Sequence, residues 1–239
     1  MEIKETRAIL DKELEALDAG RFWENHKIGD ELPFNLGPEG DLGLLIAGRE
    51  ADELADGTGR ADVTLLTKFN TRSFWPMNCR WAMDWEDGWM SGTGAIGGWA
   101  HSDMREGYVC RIISLIAELY PNVFDHIALV TKYTESRGTD GKIIHNEATP
   151  DLVWPPSFRE VFGGDSYETM GPEYTELLKD AKARRRFRPD HTSAENTFLR
   201  SVNPNYVNYF ATVVTNGYAN LSSADYSRGL WFGFCIHRK

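Results

Sequence analysis

No apolar stretch in this chain runs more than a few positions before a glycine, proline or polar residue interrupts it, and that punctuation limits the fold more than any other feature. Between Ile28 and Phe69 the runs Glu31 to Leu36, Leu42 to Ala47 and Val63 to Phe69 are each bounded by turn-forming residues, which predicts short strands joined by tight turns. The run Ile112 to Leu119 is far too short to cross a bilayer, so no membrane insertion is expected. With 239 residues, 41% of them hydrophobic, the chain has the material for one large core.

Helical periodicity is confined to three places. Glu2 to Leu17 sets Ile3, Ile9 or Leu10, Leu14 and Leu17 on one stripe and ends at Asp18-Ala19-Gly20, which predicts an N-terminal amphipathic helix over residues 1–20. Its stripe must be covered by its own domain, by a second copy or by a carrier protein. Ser102-Asp103-Met104-Arg105 caps a second helix through Ile112, Ile113, Leu115, Ile116 and Leu119, with Pro121 as its stop. Glu173 to Arg186 reads as a third, and Ser157 to Phe162, after Pro155-Pro156, as one helical turn. Further strands are expected at Ile127 to Tyr133, Thr197 to Ser201, Tyr209 to Val214 and Leu230 to Ile236. Residues 21–239 then form one α+β domain of short antiparallel strands, two main helices and long structured loops. The longest loop is Phe74 to Trp99, where Trp75, Trp81, Trp85, Trp89 and Trp99 follow neither period and are expected to make a small core of their own.

Charge and cysteine usage exclude several function classes. A net charge of -10 argues against nucleic acid as a partner. Lys179 to Arg188 carries six basic residues against one acid, and reads as a solvated helix end or, failing that, a site for phosphate or an acidic partner. Cys79, Cys110 and Cys235 are odd in number, form no Cys-x-x-Cys pair, and are expected to be reduced and mostly buried. The first residues are acidic and amphipathic, unlike a secretory signal, so synthesis in a cytoplasm is expected.

No constellation for catalysis stands out. Asp84, Glu86 and Asp87 lack the spacing of a calcium loop, and His101, His145, His191 and His237 adjoin no nucleophile motif. The glycines between Gly92 and Gly98 do not lie between a strand and a helix as a phosphate loop would. No cofactor, metal or enzymatic activity is expected. The strongest functional signal is Ser201 to Gly229, which concentrates Asn203, Asn205, Tyr206, Asn208, Tyr209, Tyr218, Asn220 and Tyr226 around the hairpin signal Asn216-Gly217. Tyrosine supplies contact area at low entropic cost and asparagine adaptable hydrogen bonds, so these eight are the candidate ligand-binding residues. The same residue types also serve ordinary turns.

The order Gly98-Trp99, Ser102-Asp103-Met104-Arg105, a helix, Phe198-Leu199-Arg200-Ser201, Asn216-Gly217, Gly229 and Gly233-Phe234-Cys235-Ile236 resembles a domain of unknown function numbered six-two-seven-three, found in gut bacteria and their prophages. That family typically has tryptophan where this chain has Phe198, and arginine-proline-alanine near Leu230-Trp231-Phe232-Gly233. The resemblance covers roughly Ile28 to Ile236. It implies a C-type-lectin-like fold, related to phage tropism determinants and to formylglycine-generating enzymes. Those enzymes use a cysteine pair near the terminal motif, where this chain has Cys235 alone. The implied role is a phage virion or prophage-encoded display protein, on the virion surface or in the bacterial cytoplasm, binding a cell-surface glycan or protein. Self-association or attachment to other virion proteins would run through the N-terminal helix. The alternatives are a decoration or assembly protein with no host ligand, and an enzyme related to the formylglycine-generating group.

Overall fold

The computed structural model describes residues 1–78, 94–138 and 140–239. Cys79, Trp81, Asp84, Trp85, Glu86, Asp87, Trp89 and Gly92 lie outside these residues, as do the expectations that rest on them. Two helices, α1 (Ile3–Asp18) and α2 (Phe22–Asn25), lead into strands β1 (Glu31–Leu32), β2 (Leu44–Arg49), β3 (Val63–Thr67) and β4 (Phe74–Trp75). A π-helical turn over Met104–Val109 runs into α3 (Cys110–Leu119), followed by α4 (Pro121–His126), β5 (Ile127–Ala128), β6 (Val130–Arg137) and β7 (Ile143–Asp151). The remaining elements are α5 (Phe158–Phe162), α6 (Ala181–Arg184), β8 (Arg186–Phe187), β9 (Ala194–Glu195), β10 (Thr197–Val202), β11 (Tyr209–Val213), β12 (Ala219–Ser223), β13 (Arg228–Gly229) and β14 (Gly233–Ile236). The architecture is α+β with antiparallel pairing throughout the described residues.

The largest sheet has the order β1-β2-β3-β14-β5. Its middle is closed by β14, which sets Cys235 opposite Thr64 on β3 and opposite Ala128 on β5. A second sheet, β10-β11-β12, stands apart from it. Phe198, Val202 and Phe210 of this sheet join the main core, whereas Leu199, Ala211 and Val213 join a smaller one with Val161, Tyr174, Leu178 and Trp231. Both faces of β10 are therefore buried, and its six residues show no polar alternation.

The N-terminal helix spends its stripe on its own domain. Leu10, Leu14 and Leu17 are 2–4% exposed within the main core, and the Arg7 Nε donates to the Leu119 carbonyl at 2.7 Å. Burying three leucines is worth on the order of 5–9 kcal/mol before entropic costs. Docking in cis thus takes the surface that self-association through α1 would need, and leaves Ile9 outside. The helix at α3 ends where Tyr120 adopts φ -137°, and Pro121 opens α4 in place of a simple stop.

Expectation and structure part most clearly at Glu173 to Arg186, where only Ala181–Arg184 is helical, capped by the Asp180 carboxylate on the Ala183 N–H at 2.9 Å. Tertiary contacts outcompete helix propensity here. Arg184 donates to the carbonyls of Gly217 and Leu178, Arg185 to that of Thr215, and Arg186 to those of Lys68 and Ala183. Four guanidinium groups lie over rings: Arg184 on Phe162, Arg185 on Phe187, Arg186 on Trp231 and Arg188 on Phe74. Arg184, Arg185 and Arg186 are thus fasteners within the fold, while Lys179, Lys182 and Arg188 stay exposed. Arg186 is almost wholly buried, and desolvation pushes its pKa down to about 9.

The thiols also differ from expectation. Cys235 is buried, but Cys110 is exposed on α3.

Candidate functional site

At one end of the three-stranded sheet the chain leaves β10 and returns as β11 through residues 203–208. Asn203 holds this loop: its Oδ1 accepts from the Asn205 and Tyr206 N–H groups at 2.9 and 3.1 Å, and its Nδ2 donates to the Tyr167 hydroxyl at 3.1 Å. Being 7% exposed, Asn203 positions the loop and is not a contact residue. Arg137 donates to the Pro204 carbonyl from below, and the Ala224 N–H closes onto the Asn208 carbonyl. Tyr206, 55% exposed, meets the half-buried Tyr209 edge-on at 5.7 Å. Beyond β12, Tyr226 is equally exposed, with the Arg228 guanidinium 5.5 Å from its ring centre.

The eight sequence candidates do not share one face. Tyr209 pairs with Ser223 at this end, while Val213 pairs with Ala219 four residues on, about 13 Å away at the usual rise per residue. Tyr218 sits in the turn beyond that far end. Asn220 pairs with Thr212, so it points to the side of the sheet opposite Tyr209. Asn205, Tyr206, Asn208, Tyr209 and Tyr226 thus form one group, and Tyr218 and Asn220 are excluded from it. The hairpin itself is as expected: Val214 and Tyr218 close the turn, and Gly217 at φ 85° lies against Ala181. A Cβ there would fall 1.7 Å from the Ala181 carbonyl oxygen, so no other residue fits.

Further segments are stitched to the tyrosine end. The Ala95 N–H donates to the Val207 carbonyl at 2.9 Å, Gly97 N–H to the Arg137 carbonyl at 2.7 Å, and Asn78 N–H to the Ala224 carbonyl at 3.1 Å. Asn78 also joins the two chain ends that flank 79–93, donating from Nδ2 to the Gly94 carbonyl at 2.6 Å. Gly98 (φ 55°) approaches β6 so closely that a Cβ would lie 1.8 Å from Ser136 Oγ. Neither described tryptophan at the borders of this region belongs to a separate core. Trp75 stacks on Tyr108 at 5.0 Å, and buried Trp99 donates to Asp151 at 2.9 Å, both against the main core.

Beneath the loop lies a buried charge centre that the sequence reading did not assemble. Arg200, 1% exposed, donates to both oxygens of Glu160 (2.6 and 2.9 Å), to Thr134 Oγ1 (2.9 Å), and to the Pro155 and Tyr133 carbonyls. Glu160 also completes a capping box with Ser157 at the start of α5. Burial works against its charge, but the cations Arg200 and Lys132 prevail and hold its pKa down at about 2. Lys132 bridges Glu160 and Asp52, and Asp52 in turn accepts from Thr64 and Tyr174. Next along the strand, Ser201 donates to Glu168, which also takes the Glu135 and Arg159 N–H groups. The signal available was a charge inside an apolar strand, as in Thr197–Val202 and at Lys132. Such charges are retained in a core only when paired.

Among the described residues no group of three His, Cys, Asp or Glu side chains is placed to hold a metal, and no helix is long and apolar enough to cross a membrane. The histidines are dispersed: His145 lies 2.9 Å from Glu135, His191 stacks on Phe69, and His237 faces Asp62. No protein-family model matches the chain, and no curated protein or solved structure is detectably similar to it.

Proposed function

We propose that this chain is a binding and display module whose ligand face is the loop end carrying Asn205, Tyr206, Asn208, Tyr209 and Tyr226. The observation that carries the reading is the pairing of exposed rings with a held backbone: Tyr206 and Tyr226 are each 55% open, yet the Tyr206 N–H is bound by Asn203 Oδ1 and the Tyr226 N–H by the Ser223 carbonyl. Aromatic side chains held this way bind without a large ordering cost. The fold reading that goes with it is C-type-lectin-like, of the numbered family named above. It is supported by a last strand that returns to the middle of the first sheet, and by a separate three-stranded sheet with long connections at one end. In this reading the protein is carried on a phage virion, is not an enzyme, and engages a glycan or protein of a bacterial surface.

The experiment is binding of fluorescently labelled protein to a panel of bacterial cells. Tyr206→Ala and Tyr226→Ala should each weaken binding by about tenfold, the effect of losing an ordinary aromatic hot spot. Tyr218→Ala, still more exposed but at the other end of the hairpin, should leave it unchanged. Equal binding by all three variants, each with an unchanged melting temperature, would refute the assigned face.

A further inference from the structure

The lysine in the charge centre is placed for a reaction as well as for an ion pair. Lys132 Nζ lies 2.5 Å from Asp52 Oδ1 and 2.5 Å from Glu160 Oε1, closer than the roughly 2.7–2.9 Å usual for such contacts. A carboxylate oxygen at that distance brings its carbon into the roughly 3–3.5 Å reach of a near-attack arrangement. Trp154, 4.1 Å away, and Tyr174 wall the amine in, and Lys132, Asp52, Glu160 and Tyr174 are all 1% exposed or less. The two carboxylates are not equivalent. Arg200 binds both oxygens of Glu160, which holds its charge and leaves it to orient Nζ. The far oxygen of Asp52 instead receives neutral donors, Thr64 Oγ1 at 2.5 Å, Tyr174 OH at 2.9 Å and the Cys235 thiol at 3.4 Å. Those donors surround the oxygen on which negative charge would grow if a nucleophile added to Cγ.

We propose that Lys132 and Asp52 condense to an intramolecular isopeptide bond. One proton passes from the Lys132 ammonium to Asp52 within the pair, and the neutral amine adds to Asp52 Cγ. A second proton then moves from nitrogen to the Asp52 hydroxyl, the C–O bond breaks, and one water leaves as the Nζ–Cγ amide forms. Atoms and charge balance with no oxidant and no co-reactant. The bond ties β6 to the segment between β2 and β3, across 80 positions of sequence. It supplies a covalent staple in a chain whose described cysteines, Cys110 and Cys235, are unpaired.

The test is the intact mass of the purified, denatured full chain with a peptide map. The wild type should be lighter than its sequence by one water, trypsin should fail to cut after Lys132, and a branched peptide should join Lys132 to Asp52. Lys132→Met and Asp52→Ala should each restore the full mass. A wild type that melts cooperatively yet has the full sequence mass overturns the proposal, whatever the variants do. So does a one-water loss that maps to Glu160 or to a succinimide at Asp56-Gly57 or Asp140-Gly141.

Discussion

Replacing Arg200 by methionine keeps most of the side-chain volume and removes only the charge and its donors. Five hydrogen bonds go: two to Glu160 and one each to Thr134, Pro155 and Tyr133. Breaking one partner of a buried ion pair typically costs about 3–5 kcal/mol. The pairing also leaves a pH signature, because the neighbouring cations, Arg200 foremost, outweigh the cost of burial and hold the Glu160 carboxyl down from 4.5 to about 2 in the folded protein. The folded pKa is the lower one, so this stability is fully present above the unfolded value of 4.5 and is lost as pH falls toward 2. Urea titrations of wild type and Arg200→Met at pH 7 should differ by about 3–5 kcal/mol, with an unchanged dependence on urea. The gap should shrink at about pH 2–3, where Glu160 gains its proton even in the wild type. A gap below about 1 kcal/mol at neutral pH, or one that does not change with pH, would refute the claim that Arg200 stabilises the fold through the Glu160 charge.

Three further outcomes follow from the packing. Gly217→Ala should cost at least about 2 kcal/mol in the same urea assay, because the turn needs a positive φ and the new methyl group meets the Ala181 carbonyl; a loss under about 0.5 kcal/mol would mean the turn simply shifts. Removing residues 1–20 strips Leu10, Leu14 and Leu17 from the main core, so light scattering and thermal melting should find aggregate or molten chain; a folded monomer of unaltered melting temperature would show that α1 contributes nothing to the core. Iodoacetamide should label Cys110 in the native protein but reach Cys235 only in denaturant, since burial pushes the Cys235 thiol well up and shields it; peptide mapping that finds both labelled at similar rates would contradict this.

The elements legible in the sequence are those governed by local rules. The α1 stripe, the helical turn at Ser157 to Phe162 and the Asn216-Gly217 turn are each set by residues within a few positions of one another, and each forms where the pattern puts it. Glu173 to Arg186 has helical composition, but Arg184 and Arg185 bond to carbonyls thirty or more residues downstream, which no local pattern encodes. The candidate site was half legible for the same reason. Tyr206, Tyr209 and Tyr226 were visible as a cluster of types, but the register that sends Asn220 to the opposite side and Tyr218 to the far end belongs to strand pairing. Asp52, Lys132, Glu160 and Arg200 come from four separate elements or connections and converge only through tertiary packing.

The central position of β14 bears on how the chain reaches this structure. While it is being synthesised, residues up to 232 can emerge with β3 and β5 lacking the neighbour that lies between them, so that two hydrogen-bonding edges stay open. The partners that close them, Leu65 with Phe234 and Ala128 with Cys235, are separated by long stretches of chain, and the late contact has a high loop-closure cost. Folding should therefore be governed by the arrival of residues 233–236, and a nascent chain halted before them is the species a chaperone would have to shield.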